Sequence, residues 1–343
     1  VRIPIGPTVG FGFGRAFARA AARRAGFRVG PLGARLFAMG THRISCWLGK
    51  LTGAAEKVMQ VDFRLVDVFT DVPFAGNQLC VVPEPPAGLD ERTMLTLTRE
   101  IGFSETTFVT AVRPGGYDVR IFTPEKELPF AGHPTLGTAF TLAAEGKVGP
   151  CVVQRSAAGD VAVEVDLGSQ RASMLQLPPS FGAEAADRAS VACAAGLEEE
   201  DLVAGLPIQP VSTGLAHLMV PVRDEPTLRR AVQDAKRCWD VCVALGGESL
   251  YLFAVRGPGD VMARMFDRWI AIGEDPATGS AAGPLAAYLA VHRLAGLPGR
   301  AVIAQGELVG RPSFLHVEAS REPDWRIQVG GGVRRVGEGR FLL

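Results

Sequence analysis

Two turn-to-helix segments, GHPTLGTA at 132–139 and DPATGSAA at 275–282, limit more than anything else what this chain can fold into. Each sets a proline, a threonine and a glycine at the start of an apolar helix. The first ends a longer stretch, RIFTPEKELPFAGHPTLG at 120–137, that runs from strand to turn to helix. Its strand part, 120–122, closes a run at 117–122 in which side chains alternate across a strand. Gly132 lets the backbone pass close to a neighbour, and Pro134 suits a first helical turn, where a missing N–H costs nothing. A helix N-terminus carries unpaired N–H donors and partial positive charge, so it attracts a carboxylate or phosphate. His133 stands at the first of these starts; a surface histidine on a plain connection is the other reading. The pair points to a weak internal duplication, two lobes each offering one helix start to a shared cleft.

The rest of the pattern mixes strands and helices without strict alternation, which places the chain in the α+β class. Strands are expected at 63–69 and 79–82, then a helix capped by Asp90, with Met94, Leu97 and Ile101 on its apolar face and Gly102 ending it. A strand follows 103–109, and a meander runs through 148–154, 161–166 and 171–177. Pro178-Pro179 marks a crossing to a second lobe, with a helix at 185–195, a strand at 208–222, a helix at 226–245 and strands at 249–255 and 260–266. A helix at 278–293, strands at 301–305, 314–319 and 325–329, and a hairpin arm at 333–343 complete it. The expected organisation is an N-terminal lobe at 61–180, with 330–343 able to complete it, and a C-terminal lobe at 181–330.

With 343 residues and 47% hydrophobic content the chain can bury a full core, and no apolar run approaches the roughly 20 residues that span a bilayer. Formal net charge is zero, so nothing overall favours nucleic acid or a membrane surface. The balance hides a split: residues 1–60 hold eight Arg, Lys50 and Lys57 against Glu56 alone, a net +9, which leaves −9 for 61–343. This basic segment reads as a transit peptide, as a nucleic-acid tail or as upstream sequence from a misplaced start near Val58 or Met59; the last is favoured, because a well-formed strand begins directly after it. The six cysteines form no CxxC pair and read as buried, reduced thiols of a cytoplasmic protein.

Glu105 is the first candidate for chemistry. It lies in SETTF between Phe103 and Phe108, where partial desolvation raises a carboxyl toward the range useful for acid–base work; a turn carboxylate is the plain alternative. Asp275 is the second, followed by Thr278, Gly279 and Ser280, whose hydroxyls and N–H groups can cradle an anion; it also fits a helix N-cap. Other constellations fail: there is no GxSxG elbow, the five histidines lack zinc spacing, and GFGFG at 10–14 follows no strand.

Six blocks then carry a resemblance: VDVFTDVPFAGNQLCVV (66–82), GFSETTFV (102–109), RIFTPEKELPFAGHPTLGTA (120–139), STGLAHLMVPV (212–222), EDPATGSAAGPLAAYL (274–289) and QGELVGRPSFLHVE (305–318). In this order the chain resembles the phenazine-biosynthesis (PhzF-like) isomerase/epimerase family, which shares the diaminopimelate epimerase fold. The resemblance covers 61–343 and has no counterpart for 1–60. It implies two pseudo-symmetric lobes, each a curved mixed sheet around a central helix, a homodimer, and cofactor-free proton transfer in the cleft between the lobes. By the family pattern Glu105 would be the general acid/base, while His133, Asp275, Thr278, Gly279 and Ser280 would bind a small carboxylate-bearing substrate, dihydro-hydroxyanthranilate-like or amino-acid-like. Related epimerases place a cysteine at each helix start; His133 and Thr278 stand there in this chain, which disfavours a two-thiol racemase. Asp267-Arg268-Trp269-Ile270 departs from the family's usual Pro/Gly-rich segment, and Trp269 is expected to reshape the pocket wall. A non-catalytic small-acid-binding protein on the same fold is the competing expectation, ahead of nucleic-acid binding through 1–60.

Overall fold

The computed structural model describes residues 58–267 and 273–343. The basic segment, apart from its last three residues, and the Arg268-Trp269-Ile270 wall lie outside the described residues.

Among the described residues, seventeen strands join in one continuous mixed sheet that closes on itself. β1 (Gln60–Val68) and β2 (Asn77–Val82) form a hairpin, and β2 runs parallel to β3 (Glu105–Arg113). Between them α1 (Glu91–Ile101) starts where the Asp90 side chain accepts from Thr93 N and ends at Gly102, the expected caps. β3 turns back on β4 (Gly116–Phe122); β5 (Glu127–Leu128) and α2 (Gly132–Ala144) follow. β6 (Cys151–Ser156) pairs in parallel with β4 and continues into the meander β7 (Gly159–Asp166) and β8 (Arg171–Gln176).

After β9 (Ser180–Phe181) and α3 (Arg188–Ala194) come β10 (Gln209–Ser212), β11 (Ala216–Pro221), α4 (Glu225–Arg230) and α5 (Ala235–Leu245). β11 is parallel to β12 (Ser249–Gly257), which turns back on β13 (Asp260–Asp267). β14 (Glu274–Asp275) leads into α6 (Gly279–Val291). β15 (Gly299–Gln305) is parallel to β13, and β16 (Ser313–Ser320) and β17 (Arg326–Leu342) finish the chain.

Three expected elements differ, each for a local reason. The strand expected at 208–222 is a hairpin, β10 against β11, with Ser212 opposite Ala216. The helix expected at 226–245 is two, because Val232 N and Asp234 N leave the helix to donate to Ala195 O and Ala194 O. Arg264 takes the carbonyls of Leu228 and Ala231 at the end of α4, and Asp234 caps α5 by accepting from Arg237 N. The expected hairpin arm at 333–343 belongs to a single seventeen-residue strand, β17, antiparallel to β16, β8 and β1. Its Gly330-Gly331-Gly332 run makes a close crossing rather than a turn: a Cβ at Gly331 would lie 2.6 Å from Phe69 Cδ1.

α2 and α6 are buried all round, from Gly132 to Ala143 and from Gly279 to Ala290, as suits helices enclosed by sheet on every side. Leu136 and Leu142 of α2 and Leu285 and Leu289 of α6 belong to the main core, each contributing about 1.5–3 kcal/mol by burial. The two helices meet at their starts, where a Cβ on Gly132 would sit 2.6 Å from Gly279 C and from Ser280 N. This contact places the candidate residues together.

Candidate active site at two facing helix starts

Neither α2 nor α6 has a side-chain cap: Ala131 precedes the first, and the Thr278 side chain before the second makes no capping bond. The first N–H groups of both helices therefore face a common point with a positive field.

Glu105 opens β3, next to Leu79 of β2. Thr107 Oγ1 lies 2.8 Å from Thr138 Oγ1 of α2, a buried bond that pins β3 to the helix. Glu105 Oε2 lies 3.3 Å from His133 Nε2. Both atoms are buried and neither has a hydrogen-bond partner. The Glu105 side chain as a whole keeps 16% exposure, so a small molecule can reach it. Burial pushes its carboxyl up to about 7, a hydrogen bond from Ser104 pulling the other way. Burial pushes the His133 ring down to about 3, against a main-chain hydrogen bond with Gln78. His133 Nε2 thus faces Glu105 Oε2 with no other partner.

Asp275 approaches from the other helix start. Its Oδ1 accepts from Asn77 Nδ2 at 2.8 Å, and its Oδ2 is hydrogen-bonded to Thr278 Oγ1. Burial first, then the charge of Glu105, hold its carboxyl well above the ordinary range, with the Thr278 and Asn77 bonds opposing. Gln305 braces the turn: Nε2 donates to Asp275 O at 2.8 Å and to Thr278 Oγ1 at 3.0 Å, and Oε1 accepts from Tyr251 OH at 2.9 Å. Gln176 Nε2 donates to Gly279 O at 2.9 Å. Ser280 Oγ lies 3.1 Å from His217 Nε2.

All six candidates thus converge on one place. Asn77, Gln176, His217, Tyr251 and Gln305 were not foreseen; their only sequence signal is that Asn77, His217 and Gln305 fall inside the motif blocks. Arg120, from the stretch leading to α2, is committed to Glu127 and Glu91. Of the cysteines expected to be buried, Cys80, Cys238 and Cys242 are, whereas Cys151 and Cys193 are exposed. Among the described residues no group of His, Cys, Asp and Glu is placed to hold a metal, and no helix is long and apolar enough to cross a membrane. A cavity of about 710 Å³ lined by Glu164, Asp166, Arg171, Arg300 and His316 shares no residue with this cluster.

Known proteins resemble this chain in sequence and in fold. An isomerase of Escherichia coli, YddE, is 34% identical over 261 residues, covering 74% of this chain and 88% of its own length. The trans-2,3-dihydro-3-hydroxyanthranilate isomerase of Pseudomonas aeruginosa is 33% identical over 288 residues, covering 82% and 99%. The crystal structure of a PhzF-family phenazine biosynthesis protein from Bacillus anthracis superposes with a TM-score of 0.74 at 25% identity, over 83% of this chain and 99% of that one. A hydroxyproline epimerase from Agrobacterium vitis shares the fold, with a TM-score of 0.56 at 12% identity over 83% and 93%. By fold and relatives the chain is an enzyme of the isomerase class. It belongs to the phenazine biosynthesis-like protein family (PhzC-PhzF), which matches residues 66–339.

Proposed function

We propose that this isomerase shifts a proton on a small carboxylate-bearing substrate without a cofactor, with Glu105 as both base and acid. The observation that carries the reading is the Glu105–His133 contact: a carboxyl pushed up to about 7 whose buried Oε2 faces an otherwise unpartnered imidazole nitrogen. As a carboxylate, Glu105 takes a proton from a substrate carbon, and the electron pair left behind spreads into the adjoining unsaturated or carboxyl system. The protonated carboxyl donates to His133 Nε2 while it waits, then returns the proton to another position. A pKa near the working pH suits one group to both transfers. Asp275, whose carboxyl burial and the Glu105 charge hold well above the ordinary range, is disfavoured as a second negative charge beside the first. The substrate carboxylate lies where the two helix starts meet, attracted by about 1 kcal/mol per helix, up to about 2 when partly buried. Gly279 and Ser280 seat it from α6, and His133 and Thr278 orient it.

The two lobes are read as related halves, 61–180 with 330–343 and 181–330. In support, the parallel pairs β2–β3 and β4–β6 recur as β11–β12 and β13–β15, with one enclosed helix in each second crossover, α2 between β4 and β6 and α6 between β13 and β15. A buried tyrosine–glutamine–threonine chain also recurs: Tyr117–Gln154–Thr135 beside α2 and Tyr251–Gln305–Thr278 beside α6. The working unit is read as a homodimer, as the family resemblance implies, and as cytoplasmic from the reading of its cysteines as reduced thiols.

The test offers trans-2,3-dihydro-3-hydroxyanthranilate and a panel of small amino acids to the protein in deuterated water and reads deuterium at substrate carbon by mass spectrometry. Wild type is expected to exchange with at least one of them, and Glu105→Gln to lose about 10²- to 10⁴-fold in rate. Undiminished exchange in that variant removes Glu105 from the chemistry. Binding with no exchange across the panel makes the chain a non-catalytic small-acid-binding protein.

A further inference from the structure

His217 stands behind the start of α6 rather than at it. It is 1% exposed, with Nδ1 2.8 Å from Ser249 Oγ of β12 and Nε2 3.1 Å from Ser280 Oγ in the first turn of the helix. Burial alone holds its pKa at about 3, so the ring is neutral and carries one proton. The two hydroxyls decide where that proton sits. Ser249 is fully buried, and among the described residues its Oγ meets His217 alone. With the proton on Nδ1, Ser249 Oγ would accept it, and the serine's own hydrogen would be left in the core without an acceptor. With the proton on Nε2, Ser249 donates to Nδ1 and Nε2 donates to Ser280 Oγ. The Ser280 hydrogen is then left over, and it has an outlet: Ser280 is 8% exposed at the helix start that abuts Gly132.

We propose that His217 is a positioning residue that fixes the Ser280 hydroxyl as a hydrogen-bond donor, so that the α6 side of the cleft selects a carboxylate over a neutral group. This deepens the proposed function and rests on its carboxylate seat. A hydroxyl that already accepts one hydrogen bond donates more strongly, so the Ser249–His217–Ser280 chain sharpens the preference. His217 does not touch substrate; it acts through Ser280.

Two measurements on the full chain test this separately. With nitrogen-labelled histidine, the His217 ring signals are assigned by their loss in His217→Gln; the unliganded protein is expected to show Nε2 protonated and Nδ1 bare. A bare Nε2 overturns the proposal whatever the cleft binds. In Ser249→Ala the proton is expected to redistribute between both nitrogens, and unchanged signals there overturn the role given to Ser249. Calorimetry then compares anthranilate, a small aromatic carboxylate, with anthranilamide, its uncharged amide. Ser280→Ala and His217→Leu are each expected to weaken anthranilate about tenfold and leave anthranilamide unmoved, and the double variant to be no weaker than either single one. His217→Gln, whose amide can still donate to Ser280, is expected to restore most of the affinity. Additive losses in the double variant overturn the proposal alone. Equal affinity of wild type for the two probes overturns the carboxylate seat and the proposal together. Where His217→Leu fails to fold, Ser249→Ala and Ser280→Ala carry the same comparison.

Discussion

A carboxyl whose pKa is raised on folding stabilises the protein only while it is protonated. Glu105 binds its proton up to about pH 7 in the folded chain, whereas an unfolded glutamate releases it near about 4.5. Between those values the folded state holds more protons than the unfolded, so stability falls as pH rises, by about 3 kcal/mol once Glu105 has ionised. Glu105→Gln cannot ionise, and it is expected to gain stability over wild type at pH 8 relative to pH 5. Urea unfolding at the two pH values checks this; an equal difference at both would place Glu105 at an ordinary pKa. The same group gives the kinetic expectation: kcat/KM rises with pH through about 7, because the first step needs the carboxylate. Glu105, His133, Asp275, Thr278, Gly279 and Ser280 were legible as candidates because each sits at the start of a strand or helix, or just before one, among residue types that fit an anion or a proton. Their supports were not. Asn77 lies 198 positions from Asp275, and Gln176 lies 103 from Gly279, so no local pattern in the sequence records either bond.

At the scale of the element, the contact between helix starts rests on missing side chains. Gly132 brings the α2 backbone against Gly279 and Ser280, and a methyl group there has only main chain to displace. Gly132→Ala is expected to cost about 1–3 kcal/mol and to lower turnover more than stability accounts for, since it moves both N–H sets proposed to hold the substrate carboxylate. Gly149→Ala, where a Cβ meets nothing within 4 Å, is the control expected to be close to neutral. Denaturant midpoints and steady-state rates on the same preparations decide it; a Gly132→Ala protein as stable and active as the control would mean the helix starts have room. Helix α1 was legible to its caps because Asp90 and Gly102 act within one turn of it. The break between α4 and α5 was not, because its causes are carbonyls of α3 and the guanidinium of Arg264, remote in sequence and adjacent only after folding.

For the molecule as a whole, a long reach joins Asp67 on β1 to Arg311, 244 residues later. Arg311 NH2 donates to Asp67 Oδ1 at 2.6 Å and to Ala75 O at 2.8 Å, and its Nε donates to Gly76 O at 2.7 Å. Asp67 is 2% exposed and also accepts from Phe74 N at 2.7 Å. This clamp ties the loop before β2 to the chain before β16, and Asn77, which holds Asp275, follows directly on Gly76. Arg311→Met therefore leaves a buried carboxylate and two carbonyls without their donor. The expected cost is about 3–5 kcal/mol, with activity falling although Arg311 touches no candidate residue. Burial already holds Asp67 above the usual carboxylate range with Arg311 pulling it down, and losing the guanidinium lets it rise further. The folded variant then retains a proton that the unfolded chain has released, so its deficit is greatest at pH 8 and shrinks toward pH 5 as Asp67 protonates. Asp67→Asn combined with Arg311→Met removes the stranded charge and is expected to recover part of the loss at pH 8 and little at pH 5. Urea titrations of wild type and the two variants at both values measure this directly, and a deficit under about 1 kcal/mol for Arg311→Met throughout would mean that the sheet closes without the clamp.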